Sequence, residues 1–386
     1  GRVALGDAEA ALAAELRGGR SEERLRGLED ALRGTFTALP KDADGRLGHL
    51  GVRYVLHRLF VQRRGWYVKG LEPGAEAPQE EWVPSFLQSR LEQELAGRGA
   101  TLRDLAVLSA AIEDLIRQEA AGRLEAVYGM HGLSARARLD KTQAEQVITT
   151  FYVAFLTEGD FNVTGSEEVE RAKQLFAQEY TGWTESVEWL KGIVATAMES
   201  ELAPGDEEYS YEVIERVALD IGDNYYKFND LECQALKAEM KGLESRKAGR
   251  VRLPEFYKKA LYSHWRFDEK LEYLRTLGAA DETEQGNPLV ILPNYLTART
   301  NCLEATGIYA VCCRNECEDL MGRLEAEVAA PEATPAELIE LVSAMPSDTV
   351  RAPRELPAQL RQRLFEVAAG HGGAVPLHGR LFAQWM

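Results

Sequence analysis

The chain has 386 residues, 45% of them hydrophobic and 28% charged, the balance of a globular protein long enough for two or three domains. Its formal net charge of −17 argues against nucleic acid, because phosphate binding needs a clustered basic surface, and suits cations or a basic partner. No run of about 18 apolar residues occurs, so no helical membrane span is expected in residues 1–386.

The chain opens at Gly1 without a Met and stops at Met386 inside a helical pattern. It reads as a processed or trimmed piece, with room for a targeting signal or anchor outside it.

Residues Asp7 to Thr35 are rich in Ala, Leu, Glu and Arg with apolar residues at helical spacing, and predict helices. Pro40-Lys-Asp42-Ala-Asp44-Gly45-Arg-Leu47 follows, then an amphipathic helix from Val52 to Phe60. A calcium loop of the EF-hand type places oxygens at loop positions 1, 3, 5 and 12, with Gly at 6 for the turn. With Gly45 sixth, Asp42 falls third, Asp44 fifth and the apolar Leu47 eighth. The first position is then Pro40 and the last Gly51, so the bidentate carboxylate is missing. Asp42 and Asp44 are candidate metal ligands in what otherwise reads as a helix-connecting turn.

Gly65 to Gly70 and Pro73 to Pro84 form a loop rich in Gly, Pro and Glu. Helices are expected from Val83 to Leu95 and from Thr101 to Gln118, with Thr101 as N-cap and Asp104 favouring the helix dipole. Gly97-Arg-Gly99 supplies a turn, so this segment reads as a second, more eroded hand paired with the first. Helix continues from Ala120 to Tyr152, broken near Gly129-Met-His-Gly132. Asn162-Val-Thr164 is a glycosylation sequon. Ser166 is an N-cap candidate, with Glu167 and Glu168 as first-turn acids. After a helix from Trp183 to Glu201, Ala203-Pro-Gly-Asp-Glu-Glu-Tyr209 is the best internal linker.

From Asp230 to Cys317 the chain repeats helix, glycine loop, helix. Val251-Arg-Leu-Pro-Glu-Phe and Val290-Ile-Leu-Pro-Asn-Tyr are one phrase written twice. With Gly249 at the sixth loop position, Glu244 is first, Val251 eighth and Glu255 twelfth. That frame makes Glu244 and Glu255 further candidate metal ligands. Arg246, Lys247 and Arg250 crowd the same loop, and cations repel a cation. The second loop carries Asp281, Glu282 and Glu284 but has Asn294 where the final Glu belongs. Val251 and Val290 are expected to form a short antiparallel bridge coupling the two loops.

Four of the five cysteines, Cys302, Cys312, Cys313 and Cys317, fall within sixteen positions read as a helix. Zinc wants Cys-x2-4-Cys pairs with a second pair well separated, a poor match to this spacing, and a thiol nucleophile wants a paired His. Disulfides fit better, with pairing open and Cys233 or a cysteine outside the chain as further partners. Buried free thiols in a helix core are the equal alternative.

Pro335 at the first position of a helix capped by Thr334 is a clear start signal. His371 and His378 lie near glycines with no acid in their own segment, and read as a turn leading into an amphipathic helix. Gly-Arg-Leu or Gly-Arg-Val opens a helix at Gly45, Gly249 and Gly379, making the last a further half-hand.

On these loops the chain resembles degenerate EF-hand proteins. The phrases Val52-Arg-Tyr-Val-Leu-His-Arg-Leu-Phe, Gly65-Trp66, Asn301-Cys-Leu, Val311-Cys-Cys-Arg-Asn-Glu-Cys-Glu and Val375-Pro-Leu-His-Gly-Arg-Leu-Phe-Ala-Gln-Trp resemble a large family of secretory or surface proteins of dinoflagellate-type algae. That resemblance implies an algal source and a membrane anchor past Met386, and implies no activity.

The expected fold is all-α, a multi-helix array of paired EF-hand-like helix–loop–helix units with at most very short β bridges. Three segments are expected: 1–202, an N-terminal helical domain; 209–330, a paired EF-hand-like domain; and 331–386, a C-terminal helical extension. The expected function is a non-enzymatic scaffold or protein-interaction subunit with a protein partner, outside the cytosol or in a lumen, and with no cofactor. A calcium-responsive sensor or adaptor is the alternative, and an enzyme using Cys or His chemistry a second one.

Overall fold

The computed structural model describes residues 10–11, 22–71, 87, 95, 97–134, 136–157, 165–180, 182–199, 208–244, 247, 249–260, 267, 269–298, 301–347 and 351–386. The sequon at Asn162, the linker at Ala203, and Arg246 lie outside them. The chain is mainly helical, with fourteen helices and only short antiparallel strand pairs among the described residues. It divides into two compact units. Of the described residues, one unit takes 64–66 and 116–314, and the other takes the rest.

The second of these units contains α1 (Glu22–Ala38), α2 (His49–Arg64, up to Arg63) and the first half of α3 (Leu102–Met130). It also contains α11 (Glu316–Val328), β8 (Glu332–Ala333), α12 (Pro335–Ala344), α13 (Ala358–Ala369), β9 (Val375–Pro376) and α14 (Arg380–Trp385). Leu47 and Ala100 face each other as an antiparallel bridge, exchanging backbone hydrogen bonds of 3.0 and 2.9 Å. Each precedes a helix, α2 and α3 respectively. This is the pairing expected of the first loop and its eroded neighbour. Thr101 caps α3 as expected: Asp104 N–H donates to Thr101 Oγ1 at 3.3 Å, and Thr101 N–H returns a bond to Asp104 Oδ2 at 2.8 Å. Residues 331–386 share a core with α1 and α11, formed by Ala38, Leu324, Leu338, Val342, Leu364, Val375 and Phe382. Thr334 and Pro335 start α12, Thr334 Oγ1 accepting from Glu337 N.

The other unit holds the rest of α3, then β2 (Leu139–Asp140), α4 (Lys141–Leu156), α5 (Ser166–Glu179), α6 (Trp183–Glu199) and β3 (Glu208–Tyr209). The 31-residue α7 (Tyr211–Lys241) leads to β4 (Arg250–Arg252), α8 (Leu253–Ala260), α9 (Leu271–Thr276), β5 (Ala280–Asp281), β6 (Leu289–Ile291), α10 (Leu292–Leu296) and β7 (Tyr309–Val311). β2 pairs with β3. β4, β6 and β5 form a three-stranded sheet with β6 in the middle, and Val251 lies opposite Val290 in its register. The bridge read from the repeated phrase is therefore present. Behind it Leu236, Met240, Phe256, Phe267, Leu274 and Tyr295 close a core. Burying each such side chain contributes about 1.5–3 kcal/mol.

One rule covers both units. Leu47 with Ala100, Leu139–Asp140 with Glu208–Tyr209, Val251 with Val290, and Ala333 with Val375 are all antiparallel pairs whose members run into a helix within a few residues. Three of the paired residues follow a glycine by two positions: Gly45 (φ 74°), Gly249 (φ 67°) and Gly373 (φ 100°). A side chain is strained at such φ, and glycine is not. The half-hand expected at Gly379 is corrected by this pattern. Gly379 is an N-cap with φ −80°, and Gly373 holds the loop position.

The stretch from Cys302 to Cys317 is a second correction. It is not a helix: Leu303 and Val311 form a bridge, and β7 lies within it. Helix begins only at Glu316, where Asn315 accepts from Cys317 N–H at 3.0 Å. Cys302 bonds Cys312, and Cys313 bonds Cys233 on α7. Cys317, expected among the bridged residues, is an exposed free thiol.

Candidate functional site

The four candidate metal ligands lie in different units, Asp42 and Asp44 in one and Glu244 and Glu255 in the other. Asp42 spends Oδ1 on its own loop, accepting from Asp44 N at 3.0 Å and Arg46 N at 2.8 Å. Asp44 is exposed. Glu244 Oε1 accepts the N–H of Gly249 at 3.0 Å, so the first loop acid ties down the glycine turn. Glu255 is exposed in the first turn of α8, where its charge suits the helix N-terminus. Among the described residues no group of three His, Cys, Asp or Glu is arranged to hold a metal ion.

Between the paired loops, basic side chains meet the acids. Arg250 Nε donates to Asp281 Oδ2 at 3.1 Å, and Lys247 Nζ lies 3.4 Å from Glu284 and 3.9 Å from Asp281. Hydrogen bonds from the Thr283 hydroxyl and N–H, and then from Arg250, hold the Asp281 carboxyl well below the usual carboxylate range.

A second cluster is buried. Arg58 on α2 and Glu325 on α11 are each 1% exposed. Glu325 Oε1 accepts from Tyr54 OH at 2.8 Å and from His378 Nε2 at 3.0 Å, and Oε2 accepts from Thr35 Oγ1 at 2.9 Å. Arg58 pairs with Glu318 and lies 3.7 Å from Glu325. His57 Nε2 is 3.8 Å from Glu318. A Cβ on Gly322 would press on Gln62 Nε2 and stand 2.7 Å from Arg58 Nη2, so glycine on α11 gives both side chains room.

These environments fix the protonation states. Burial raises the Glu318 carboxyl, but the neighbouring His57 ring and the Arg58 charge overcome it and leave it at about 2. Burial and then the Glu325 charge push the Tyr54 hydroxyl up, so it stays a donor. Burial works against the Arg58 cation, but Glu318 and Glu325 more than offset it and its pKa is raised. The result is a network of fixed charges and directed hydrogen bonds that locks α1, α2, α11 and the segment carrying His378 together.

The sequence reading missed this cluster. His378 was set aside because no acid stood in its own segment, and the acid comes from α11, 53 residues earlier. The available signal was face matching. Tyr54, His57 and Arg58 are spaced three and four apart, and Glu318 and Glu325 seven apart, so each set shares one helix face.

A third feature is an open trough of about 400 Å³ between α4 and α6. Ile148, Leu190 and Met198 are buried in its lining beside Val187, Val194 and Ala195, the hydroxyl-bearing Thr149 and Tyr209 line it too, and Lys141, Glu145 and Lys191 are its charged members. No helix among the described residues is long and apolar enough to cross a membrane. Comparison with protein-family models, curated proteins and solved structures finds no match for the chain.

Proposed function

We propose that this chain is a non-enzymatic helical scaffold, a protein-interaction subunit built on paired EF-hand-like units that hold their shape without an ion. The observation that carries the reading is the Arg250–Asp281 ion pair with Lys247 beside it. Basic side chains stand where a calcium loop needs room and negative charge. The sensor reading has less support, because Asp42 is committed to backbone donors.

The compartment is outside the cytosol. Two disulfides within one unit favour an oxidising environment. The resemblance to algal secretory and surface proteins points the same way.

The test is cross-linking in cells of the source followed by purification of the chain in calcium and in chelator. The scaffold reading expects the same protein partner in both. A partner recovered only in calcium would make the chain a sensor. A chain recovered alone in both would end the interaction reading.

A further inference from the structure

The segment between Cys302 and Cys312 is built as a plug. Its two ends are joined by the disulfide and by the Leu303–Val311 bridge. Between them Thr306 Oγ1 accepts from the N–H groups of Ile308 and Tyr309 at 3.0 and 2.9 Å and fixes the turn. Ala305, Ile308, Tyr309, Ala310 and Val311 are all buried.

Two side chains one turn apart on α3 grip this turn by its backbone. Glu119 Oε1 accepts from Gly307 N–H at 2.7 Å, and Arg123 Nη2 donates to the Ala305 carbonyl at 2.8 Å. The Tyr309 ring lies 4.8 Å from that of Trp66. A Cβ on Gly222 of α7 would stand 3.2 Å from the Tyr309 hydroxyl. All of these residues belong to the same unit.

The two charges oppose the docking that the apolar side chains favour. Glu119 is 8% exposed, and its Oε2 is buried with no hydrogen-bond partner among the described residues. Burial lowers the Arg123 pKa, and Glu119 only partly offsets it. Both groups would regain water if the turn withdrew. The disulfide tips the balance the other way. Closing a ring with a sequence separation of 10 restricts the withdrawn state enough to favour the docked one by about a hundredfold.

The two bridges also differ in access. Cys302 is half-buried, whereas Cys312, Cys313 and Cys233 are buried. Thiol–disulfide exchange needs a thiolate to reach a sulfur. We infer that Cys302–Cys312 is a redox latch: a dithiol opens it at Cys302 and the 303–311 plug leaves its seat, while Cys233–Cys313 stays closed and keeps the segment fastened to α7. In the first step a thiolate of the dithiol bonds Cys302 Sγ as the Cys302–Cys312 bond breaks. Cys312 leaves as a thiolate and takes a proton from water. The second thiol of the dithiol then displaces Cys302, so the dithiol loses two electrons to become a disulfide and the bridge becomes two thiols. The latch is independent of the ion-free loops and of any partner.

The test treats the whole native chain with a graded series of dithiothreitol, alkylates the released thiols and locates them by fragment mass spectrometry. Cys302 and Cys312 should be labelled about tenfold faster than Cys233 and Cys313, or more. In the same dithiothreitol, hydrogen exchange at the Gly307, Leu303 and Val311 amides should rise by up to about a hundredfold, while amides in the middle of α7 keep their protection. Cys302→Ser with Cys312→Ser should show the fast exchange without reductant and gain nothing from it. Should that variant fail to fold, the dithiothreitol series on the parent chain makes the comparison alone. Labelling of Cys233 and Cys313 first, or at the same rate, would overturn the latch. So would Gly307 protection that survives reduction of Cys302 and Cys312, or protection of α7 lost in the same step.

Discussion

Arg250 reaches past the central strand β6 to Asp281 on β5, its Nε donating to Oδ2 at 3.1 Å. In that position the guanidinium neutralises an acid that a calcium loop would offer to its ion. Removing the cations should therefore create an ion response. Lys247→Gln with Arg250→Gln leaves Asp281 and Glu284 without their cations, while Glu282 keeps Arg275. Millimolar calcium should raise the Tm of this double variant and leave the parent unmoved, by differential scanning fluorimetry. Equal responses would show that the basic side chains do not decide the matter.

The Arg58–Glu318–Glu325 cluster should be costly to break from one side. Arg58→Met leaves the buried Glu325 and the part-buried Glu318 without their cation, and breaking a buried pair costs about 3–5 kcal/mol. Urea unfolding at neutral pH reads the loss. Adding Glu318→Gln should recover part of it, because one uncompensated charge is gone. Gly322→Ala should cost about 1–3 kcal/mol by forcing a methyl against Arg58 Nη2. A loss well below 1 kcal/mol in Arg58→Met would show that the cluster does not hold its unit together.

Acid should find this cluster first. Glu318 has its folded pKa depressed from the ordinary value of 4.5 to about 2. A depressed carboxylate contributes stability above its unfolded pKa and loses it as pH falls towards the folded one. The shift corresponds to on the order of 3 kcal/mol. The Glu318 contribution should be flat from neutral pH down to about 5, then fall as pH drops towards 2. Glu318→Gln should be less stable at neutral pH and show a shallower acid limb. An acid limb identical to the parent's would remove Glu318 from the account.

Much of the fold was legible because it rests on local signals. Gly249 two residues before Val251, and the repetition of Val-x-Leu-Pro, located one antiparallel bridge in full register. Thr101–Asp104 and Thr334–Pro335 marked two helix starts for the same reason: a cap is a matter of three or four adjacent residues. The cysteine segment was misread because periodicity cannot tell a short apolar strand such as Tyr309–Val311 from a helix turn. The pairing of Cys233 with Cys313 spans 80 residues, and no local pattern encodes it. The buried cluster was illegible for a related reason. Its members come from four places in the chain, and each looks like an ordinary surface charge until the helices bring the faces together.

The cysteines give a prediction of their own. Alkylation of the intact chain under denaturing conditions without reductant should add one label, at Cys317, and reduction should expose all five. In the native state at neutral pH labelling should be slow although Cys317 is exposed, because partial desolvation and then the Glu318 charge push its thiol up. By loop entropy the Cys233–Cys313 bridge, with a sequence separation of 80, contributes about 4.5 kcal/mol, and Cys302–Cys312, with a separation of 10, about 2.7 kcal/mol. Paired Cys→Ala variants should rank in that order in urea unfolding. The reverse order would show that native contacts at the loop, and not the length it closes, set the value.

The central claim is that these paired loops hold their shape without an ion. Thermal melting of the parent chain, titrated with calcium from chelator to millimolar, tests it most directly. An ion bound only by the folded state and present at a hundredfold over its Kd adds about 2.7 kcal/mol, several degrees of Tm. The account predicts no rise beyond what an equal ionic strength of sodium chloride produces. A saturable rise of several degrees at micromolar calcium, lost in Asp42→Ala with Asp44→Ala or in Glu244→Gln with Glu255→Gln, would contradict it.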